Sequence, residues 1–248
     1  MKISLITVSY NSEKTIGDTI NSVLNQVNCD LEYIIVDGKS TDNTLKIIGA
    51  YASQISKVLS ESDQGIYDAM NKGLALATGD IVGFLNSDDI YSDDSVLAEV
   101  VRKFQESDSD AMYGDLVYVS QNNLNKVIRK WKSGKFHKKS FELGWMPPHP
   151  TFFVRRHIYQ QYGGFNTTLK SAADYELMLR FLYRHEISAS YLPKTLVKMR
   201  IGGKSNASLK RRILANLEDR QAWKLNGIEP NFLTLWLKPI RKIFQFLG

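Results

Sequence analysis

The sequence predicts an α/β fold, a mostly parallel sheet flanked by helices and followed by a helical, amphipathic C-terminal tail. Two observations carry this prediction. Short apolar runs alternate with segments of helical period over the first 120 residues. Each run ends in a polar cluster, as at the strand-to-helix turns of an open sheet.

Residues 3–8 read as a strand, after which Asn11 and Ser12 cap a helix that has Ile16, Ile20, Val23, Leu24 and Val27 on one face. A second buried strand, 33–36, ends at Asp37 and Gly38. Thr41 and Asp42 cap a helix carrying Leu45, Ile48 and Ala52, and 57–60 is a short third strand. Residues 66–77 are helical, with Ile66, Met70, Gly73, Leu74 and Ala77 spaced for packing, and Thr78-Gly79-Asp80 ends the helix. Residues 81–85 form a fourth strand, and a helix runs from Asp93/Asp94 through Phe104. Such alternation implies parallel strands with helices on both faces.

The pattern changes after residue 110. Residues 111–120 read as a longer, half-buried strand. Residues 121–140 hold seven Lys/Arg, with no acid between Lys126 and Lys139. The prolines of Met146-Pro147-Pro148-His149-Pro150 forbid helix. A helix from about 174 to 184 turns Leu177, Met178, Phe181 and Leu182 inward, and short strands follow at 190–192 and 196–200. Gly202-Gly203-Lys204-Ser205 is a flexible loop.

Along residues 232–247, Thr234, Lys238, Arg241, Lys242 and Gln245 share one arc of a helical wheel, and aromatic and aliphatic residues fill most of the rest. Pro239 kinks or restarts that helix. A basic stripe opposite an apolar face suits an anionic membrane surface. Docking on the domain, or on a second copy to give a homodimer, is the alternative.

Bulk properties narrow the class. A chain of 248 residues, 43% hydrophobic and 23% charged, suits one soluble domain with an appendage. The lone Cys29 excludes a disulfide framework and a cysteine-rich zinc site. No secretory signal is read at the N-terminus, and no window approaches the roughly 20 apolar residues of a membrane span. The expected location is cytoplasmic, peripheral on the inner face of the cell membrane. The net charge of +6 is unevenly placed: residues 1–120 hold 8 Lys/Arg against 19 Asp/Glu, and residues 121–203 hold 15 against 4. An acidic half suits metal chemistry and a basic half an anionic partner, with nucleic acid, phospholipid headgroups and a diphosphate-bearing substrate as the three options.

The polar clusters converge on one edge if the sheet is parallel. The first strand delivers Thr7, Ser9, Tyr10 and Asn11, and the second Asp37 with Ser40-Thr41-Asp42. The third leads to Glu61-Ser62-Asp63-Gln64-Gly65, and the fourth to Phe84-Leu85-Asn86-Ser87-Asp88-Asp89. An aromatic ring among acids and amides suits a base and ribose. The pair Asp88 and Asp89, expected where the strand emerges, suits Mn²⁺ or Mg²⁺ bridging a diphosphate.

These segments resemble family 2 glycosyltransferases. The resemblance rests on Thr-Val-Ser-Tyr-Asn at 7–11, Tyr-Ile-Ile-Val-Asp-Gly-Lys-Ser-Thr-Asp-Asn-Thr at 33–44 and Asp-Gln-Gly-Ile-Tyr-Asp-Ala-Met-Asn-Lys-Gly at 63–73. Phe-Leu-Asn-Ser-Asp-Asp at 84–89 and Ala-Asp-Tyr-Glu-Leu at 173–177 continue it. It covers residues 1–205 and is nearest to small bacterial enzymes of exopolysaccharide and O-antigen assembly. It implies a GT-A fold, a Rossmann-like sheet with a nucleotide-sugar-binding half (1–115) and an acceptor-binding half (116–205), then basic amphipathic helices at 206–248.

The resemblance further implies a metal-dependent, inverting hexosyl transfer from a nucleotide-diphosphate sugar to a glycan or a polyprenyl-diphosphate-linked acceptor. Thr7, Tyr10, Asn11 and Asp37 would serve the nucleotide, and Asp63 a loop closing over the base, positioned by Asn71 and Lys72. Asp88 would bind ribose, sugar or metal, Asp89 would hold the metal, and Asp174 would be the general base, with Glu176 as runner-up. Asn86 departs from the family's acid at that position. His149, Arg200, Tyr67 and Trp145 are lesser candidates for phosphate contact or acceptor platforms. Two other readings are a sugar nucleotidyltransferase, although Ser9–Thr15 has neither the Gly nor the Arg of its loop, and a non-catalytic nucleotide-sugar or membrane-binding module.

Overall fold

A computed structural model describes residues 1–202 and 209–229, with the backbone alone over 209–216. The chain runs β1 (Lys2–Ser9), α1 (Ile16–Leu24), β2 (Asp30–Asp37), α2 (Thr44–Ala50), β3 (Lys57–Ser60), α3 (Ile66–Leu76), β4 (Ile81–Phe84), β5 (Asp89–Tyr91) and α4 (Val96–Ser107). The second half holds β6 (Ala111–Ser120), β7 (Asn123–Trp131), α5 (Lys139–Glu142), β8 (Phe153–Arg155), α6 (Arg156–Tyr162), α7 (Ala173–Met178), β9 (Ala189–Arg200) and α8 (Leu209–Leu225).

All strands join one sheet in the order β3-β2-β1-β4-β8-β6-β9-β5, with β7 paired to β6. The expected parallel arrangement holds across β3, β2, β1 and β4. Beyond β4 the sheet is mixed, because β8 runs antiparallel to both β4 and β6. β5 stands at the far end of the order from β3, yet the Thr19 hydroxyl of α1 donates to the Asp89 carbonyl at 2.8 Å. The sheet therefore curls back over α1.

The near-continuous apolar runs follow from burial on both faces. Alternate residues of β1 and β2 enter different cores: Ile6, Val8, Ile34 and Val36 pack with α3 and α7, whereas Ile3, Leu5, Tyr33 and Ile35 pack with α1 and α4. Gly73 sits mid-helix in α3 because a β-carbon there would run into the Ile6 side chain. That close approach seats α3 on the sheet.

Several expectations change. Val27, Leu45 and Ile66 were assigned to packed faces but are exposed. The basic segment contributes the edge strand β7, whose lysines and β-bulge suit an unpaired edge. The strands expected at 190–192 and 196–200 are one, β9, which carries Pro193 at a shift in its register with β6. The helix expected over 174–184 is α7 followed by a π-type turn, Leu179–Arg184. The end of α8 is no appendage: Ala222 and Trp223 are buried against the domain, and Trp223 Nε1 donates to the Tyr175 hydroxyl at 2.9 Å. The amphipathic tail at 232–247 and Gly203-Lys204-Ser205 lie outside the described residues. No helix among the described residues is long and apolar enough to cross a membrane.

Candidate active site

The carboxyl ends of the parallel strands do converge. Ser9, Asp37 and Ser60 stand in register across β1, β2 and β3. Asp37, fully buried, accepts from the Ser9 and Ser60 hydroxyls at 3.0 Å each, and from the Ser40 amide at 2.8 Å and hydroxyl at 2.5 Å. Four donors satisfy a buried carboxylate in place. Asp37 therefore organises the turn behind the crevice.

In front of that hub lie Tyr10 and Asp63. Tyr10 is 50% exposed, and a β-carbon on Gly38 would meet both its ring and the Asp63 carboxylate. Asn11, at φ 50°, accepts the Thr41 amide at 2.9 Å and donates its own amide to Ser40 Oγ at 2.9 Å, tying the β1 and β2 loops together. Asp63 Oδ1 accepts the Gly65 amide at 2.8 Å, and Gly65 takes φ 124°, which favours glycine. Lys72 binds the Ser62 carbonyl at 2.7 Å and Glu61 at 2.9 Å, which tethers the 61–65 loop to α3. Asn71 does something else. Its amide donates to the Phe165 carbonyl and accepts the Phe165 N–H, each at 2.8 Å.

Thr7 does not reach the crevice. It is fully buried within β1, and its hydroxyl accepts from Tyr33 at 3.1 Å. The odd residues of this strand point into the core beside Tyr33, so Thr7 is not placed for the nucleotide contact expected of it.

The acidic loop also differs from expectation. Asp89 does not emerge: it begins β5 and is fully buried, with Oδ2 accepting from Asn86 Nδ2 at 3.0 Å and no hydrogen-bond partner on Oδ1. Burial, and then the neighbouring Asp88 charge, push the Asp89 carboxyl well above the usual range, offset in part by Asn86 and Arg200. Asp88 is half-buried at the surface of the loop, and its carbonyl accepts from Arg200 Nη1 at 2.7 Å. Arg200 also pairs with Asp18, so it braces this loop. Ser12 and Ser87 share a hydroxyl hydrogen bond of 2.9 Å between the β1 and β4 loops. An orphaned buried carboxylate oxygen next to a reachable second carboxylate fits a divalent cation whose shell a diphosphate completes. Among the described residues no group of three or more acidic, His or Cys side chains forms a self-sufficient metal site.

Asp174 comes from the other half of the chain. It stands in the first turn of α7, and its Oδ1 accepts from the Tyr67 hydroxyl of α3 at 3.1 Å and from the Tyr175 amide at 2.9 Å. His149 lies beside it. Burial lowers the His149 pKa against the opposing Asp174 charge, so the imidazole is neutral. His149 stacks on Phe84 at 5.8 Å, the last residue of β4, which links Asp174 to the strand that precedes Asp88. Glu176 faces away and pairs with Arg180 at 3.1 Å, while Asn226 donates to it at 3.0 Å. It has no route to the crevice as a base. Trp145 is in the core, with Nε1 donating to the Ser133 carbonyl at 2.7 Å.

The sequence reading missed two partners: Tyr67 as a ligand of Asp174, and Phe165, which packs on Tyr67, Phe84 and His149. The signal for Tyr67 is its place in the first turn of α3, directly after the Asp63 loop. Nothing in the local pattern marks Phe165.

The family model for glycosyl transferase family 2 matches residues 4–163. A PGL/p-HBAD biosynthesis glycosyltransferase of Mycobacterium bovis (strain BCG / Pasteur 1173P2) is 30% identical over 226 residues, covering 86% of this chain and 83% of that protein. The crystal structure of S. aureus TarS 1-349 in complex with UDP-GlcNAc superposes with a TM-score of 0.72 at 24% identity over 92% of this chain. This chain spans 66% of that one's length. The mannosyltransferase PcManGT from Pyrobaculum calidifontis, in complex with GDP-Man and Mn²⁺, gives a TM-score of 0.67 at 17% identity, covering 96% of this chain and 72% of its own. The structural likenesses establish a shared fold.

Proposed function

The chain belongs to glycosyl transferase family 2, and on that premise we propose that it transfers a sugar, with inversion, from a nucleotide-diphosphate sugar to a hydroxyl of a glycan or lipid-linked acceptor. What carries the reading is the meeting of Asp174 with α3 of the opposite half through Tyr67 at 3.1 Å. A carboxylate from the second half is thereby tied to the first turn of α3, directly after the loop that carries Asp63.

Each group has a role in this scheme. The Tyr10 ring stacks the base, and the loop of Asp63, held by Lys72, closes over it. Asp37 and Asn11 hold the turn against which the ribose lies. Asp88 and Asp89 would hold Mn²⁺ or Mg²⁺. When bound, the metal neutralises charge on the departing diphosphate as a Lewis acid.

Asp174 removes the proton of the acceptor hydroxyl as general base. The acceptor oxygen bonds to the anomeric carbon from the face opposite the diphosphate. The bond from that carbon to the diphosphate oxygen breaks, and its electron pair leaves with the nucleoside diphosphate. Attack from the opposite face inverts the configuration. The family match sets aside the sugar nucleotidyltransferase reading.

UDP-GlcNAc and GDP-Man, bound by the two structural neighbours, are the first donors to try. A thermal-shift panel of nucleotide diphosphates and their sugars, with Mn²⁺ and with EDTA, tests the donor site, since a ligand of the native state raises the melting temperature by mass action. The expected result is a shift with one nucleotide family that EDTA abolishes. A flat panel contradicts the donor reading. The acceptor is proposed to be polyprenyl-diphosphate-linked and met at an anionic membrane face, where the basic tail would dock. Deleting residues 230–248 is expected to release the protein from anionic vesicles.

A further inference from the structure

The two oxygens of Asp174 are not equivalent. Oδ1 accepts from the Tyr67 hydroxyl at 3.1 Å and from the Tyr175 amide at 2.9 Å. Among the described residues no donor reaches Oδ2. An oxygen with two donors is a poor proton acceptor, because its lone pairs are already engaged. The free oxygen keeps its basicity.

The donor is itself held in place. Tyr67 is 8% exposed, and its ring stacks on Phe165 with centroids 5.7 Å apart at 21°. Phe165 is clamped through its main chain by Asn71, one turn further along α3 from Tyr67. One helix therefore positions both the tyrosine and the ring it lies on. Burial, reinforced by the Asp174 charge, holds the phenol pKa far above neutrality, so the group stays protonated and can only donate.

We propose that Tyr67 is a positioning residue for the general base: its hydroxyl locks Asp174 Oδ1 and leaves Oδ2 as the oxygen that takes the acceptor proton. This rests on Asp174 being the base. The acceptor O–H proton goes to Oδ2, the acceptor oxygen bonds to the anomeric carbon, and the diphosphate departs with the electron pair. Tyr67 keeps its own proton throughout. Its contribution is orientation.

Tyr67→Phe keeps the ring stack and deletes only the hydroxyl. Turnover of the nucleotide sugar giving the largest thermal shift is followed as nucleoside-diphosphate release across pH 5–9. The expected kcat falls roughly ten- to a hundredfold, as for loss of one charge-assisted hydrogen bond, with the donor KM unchanged. The acidic limb of the kcat profile moves to higher pH, because a carboxylate that loses a donor is harder to deprotonate. Added to Asp174→Asn, the change has no further effect.

Site-specific 3-fluorotyrosine in place of Tyr67, an isosteric and stronger donor, moves the limb the other way and guards against a folding defect in the phenylalanine variant. A kcat within twofold of the parent with an unmoved limb overturns the positioning role, as does a multiplicative loss in the double variant. Should Asp174→Asn retain full turnover, the base assignment fails, and this role fails with it.

Discussion

Gly38 brings its α-carbon against the Asp63 carboxylate, so closely that a β-carbon at residue 38 would overlap Asp63 Oδ2. The β2 turn and the loop after β3 are thus packed with no space between them, and the Tyr10 ring lies on the same glycine. Gly38→Ala should displace the 61–65 loop while leaving the Asp37 hub intact. Donor affinity is expected to weaken roughly tenfold, equivalent to about 1.4 kcal/mol, with a melting temperature near that of the parent. Isothermal titration with the donor checks this.

The two acids of the β4 loop are expected to differ. Asp88 is half-buried, whereas Asp89 is enclosed with an unpartnered oxygen. Asp88→Asn should abolish the Mn²⁺-dependent thermal shift. Asp89→Asn should also lose the metal response. It removes a carboxyl whose charged form burial and Asp88 disfavour, so its metal-free melting temperature is expected to equal or exceed that of the parent. A lower melting temperature for Asp89→Asn would show that its charge is paired after all.

Asn71 joins α3 to the main chain of Phe165 by two hydrogen bonds, 94 residues apart in sequence. Asn71→Ala leaves a partly buried N–H and C=O without partners, at a cost of about 1–3 kcal/mol. Urea denaturation measures this directly. The same variant loosens the ring beneath Tyr67, so catalytic turnover should fall further than donor binding.

What the sequence disclosed, and what it hid, follows from which interactions are local. β1, β2, β4 and α3 were legible because each is an apolar run with its polar residues in fixed places. Asp37 and Asp174 were legible as positions, since one closes β2 and the other stands in the first turn of α7, and Asp63 was legible as part of the polar loop between β3 and α3. Their partners were not. Whether Asp37 faces a ligand or three serines depends on the register of β1 and β3, and whether Thr7 faces the crevice or Tyr33 depends on strand parity.

Asp89 was read as emergent because Ile81–Phe84 ends before it. The chain instead re-enters the sheet at once as β5, against β9 more than a hundred residues later. β8, only three residues long, has too little sequence to show any period.

Glu32 supplies a pH prediction away from the site. It is 4% exposed, and burial alone would raise its carboxyl, but hydrogen bonds from Ser4, Thr78 and Lys57 outweigh that and hold it well below the usual carboxylate range. A depressed folded pKa gives stability that is complete above the unfolded value, roughly 4.3, and is lost as pH falls toward the folded one. The melting temperature should therefore decline below about pH 5. Glu32→Gln should flatten that decline and, at neutral pH, cost about 1–3 kcal/mol. Thermal melts between pH 3 and pH 8 check both.

The proton acceptor is the centre of the account, and Asp174→Asn tests it most directly. The amide preserves size and can still meet Tyr67, but it cannot take a proton. With the donor identified by thermal shift, the variant should bind donor with a Kd within about twofold of the parent, a difference under roughly 0.5 kcal/mol. Its transfer rate should fall by roughly 10²–10⁴-fold, the usual contribution of a general base. Undiminished transfer with unchanged donor binding would contradict the account.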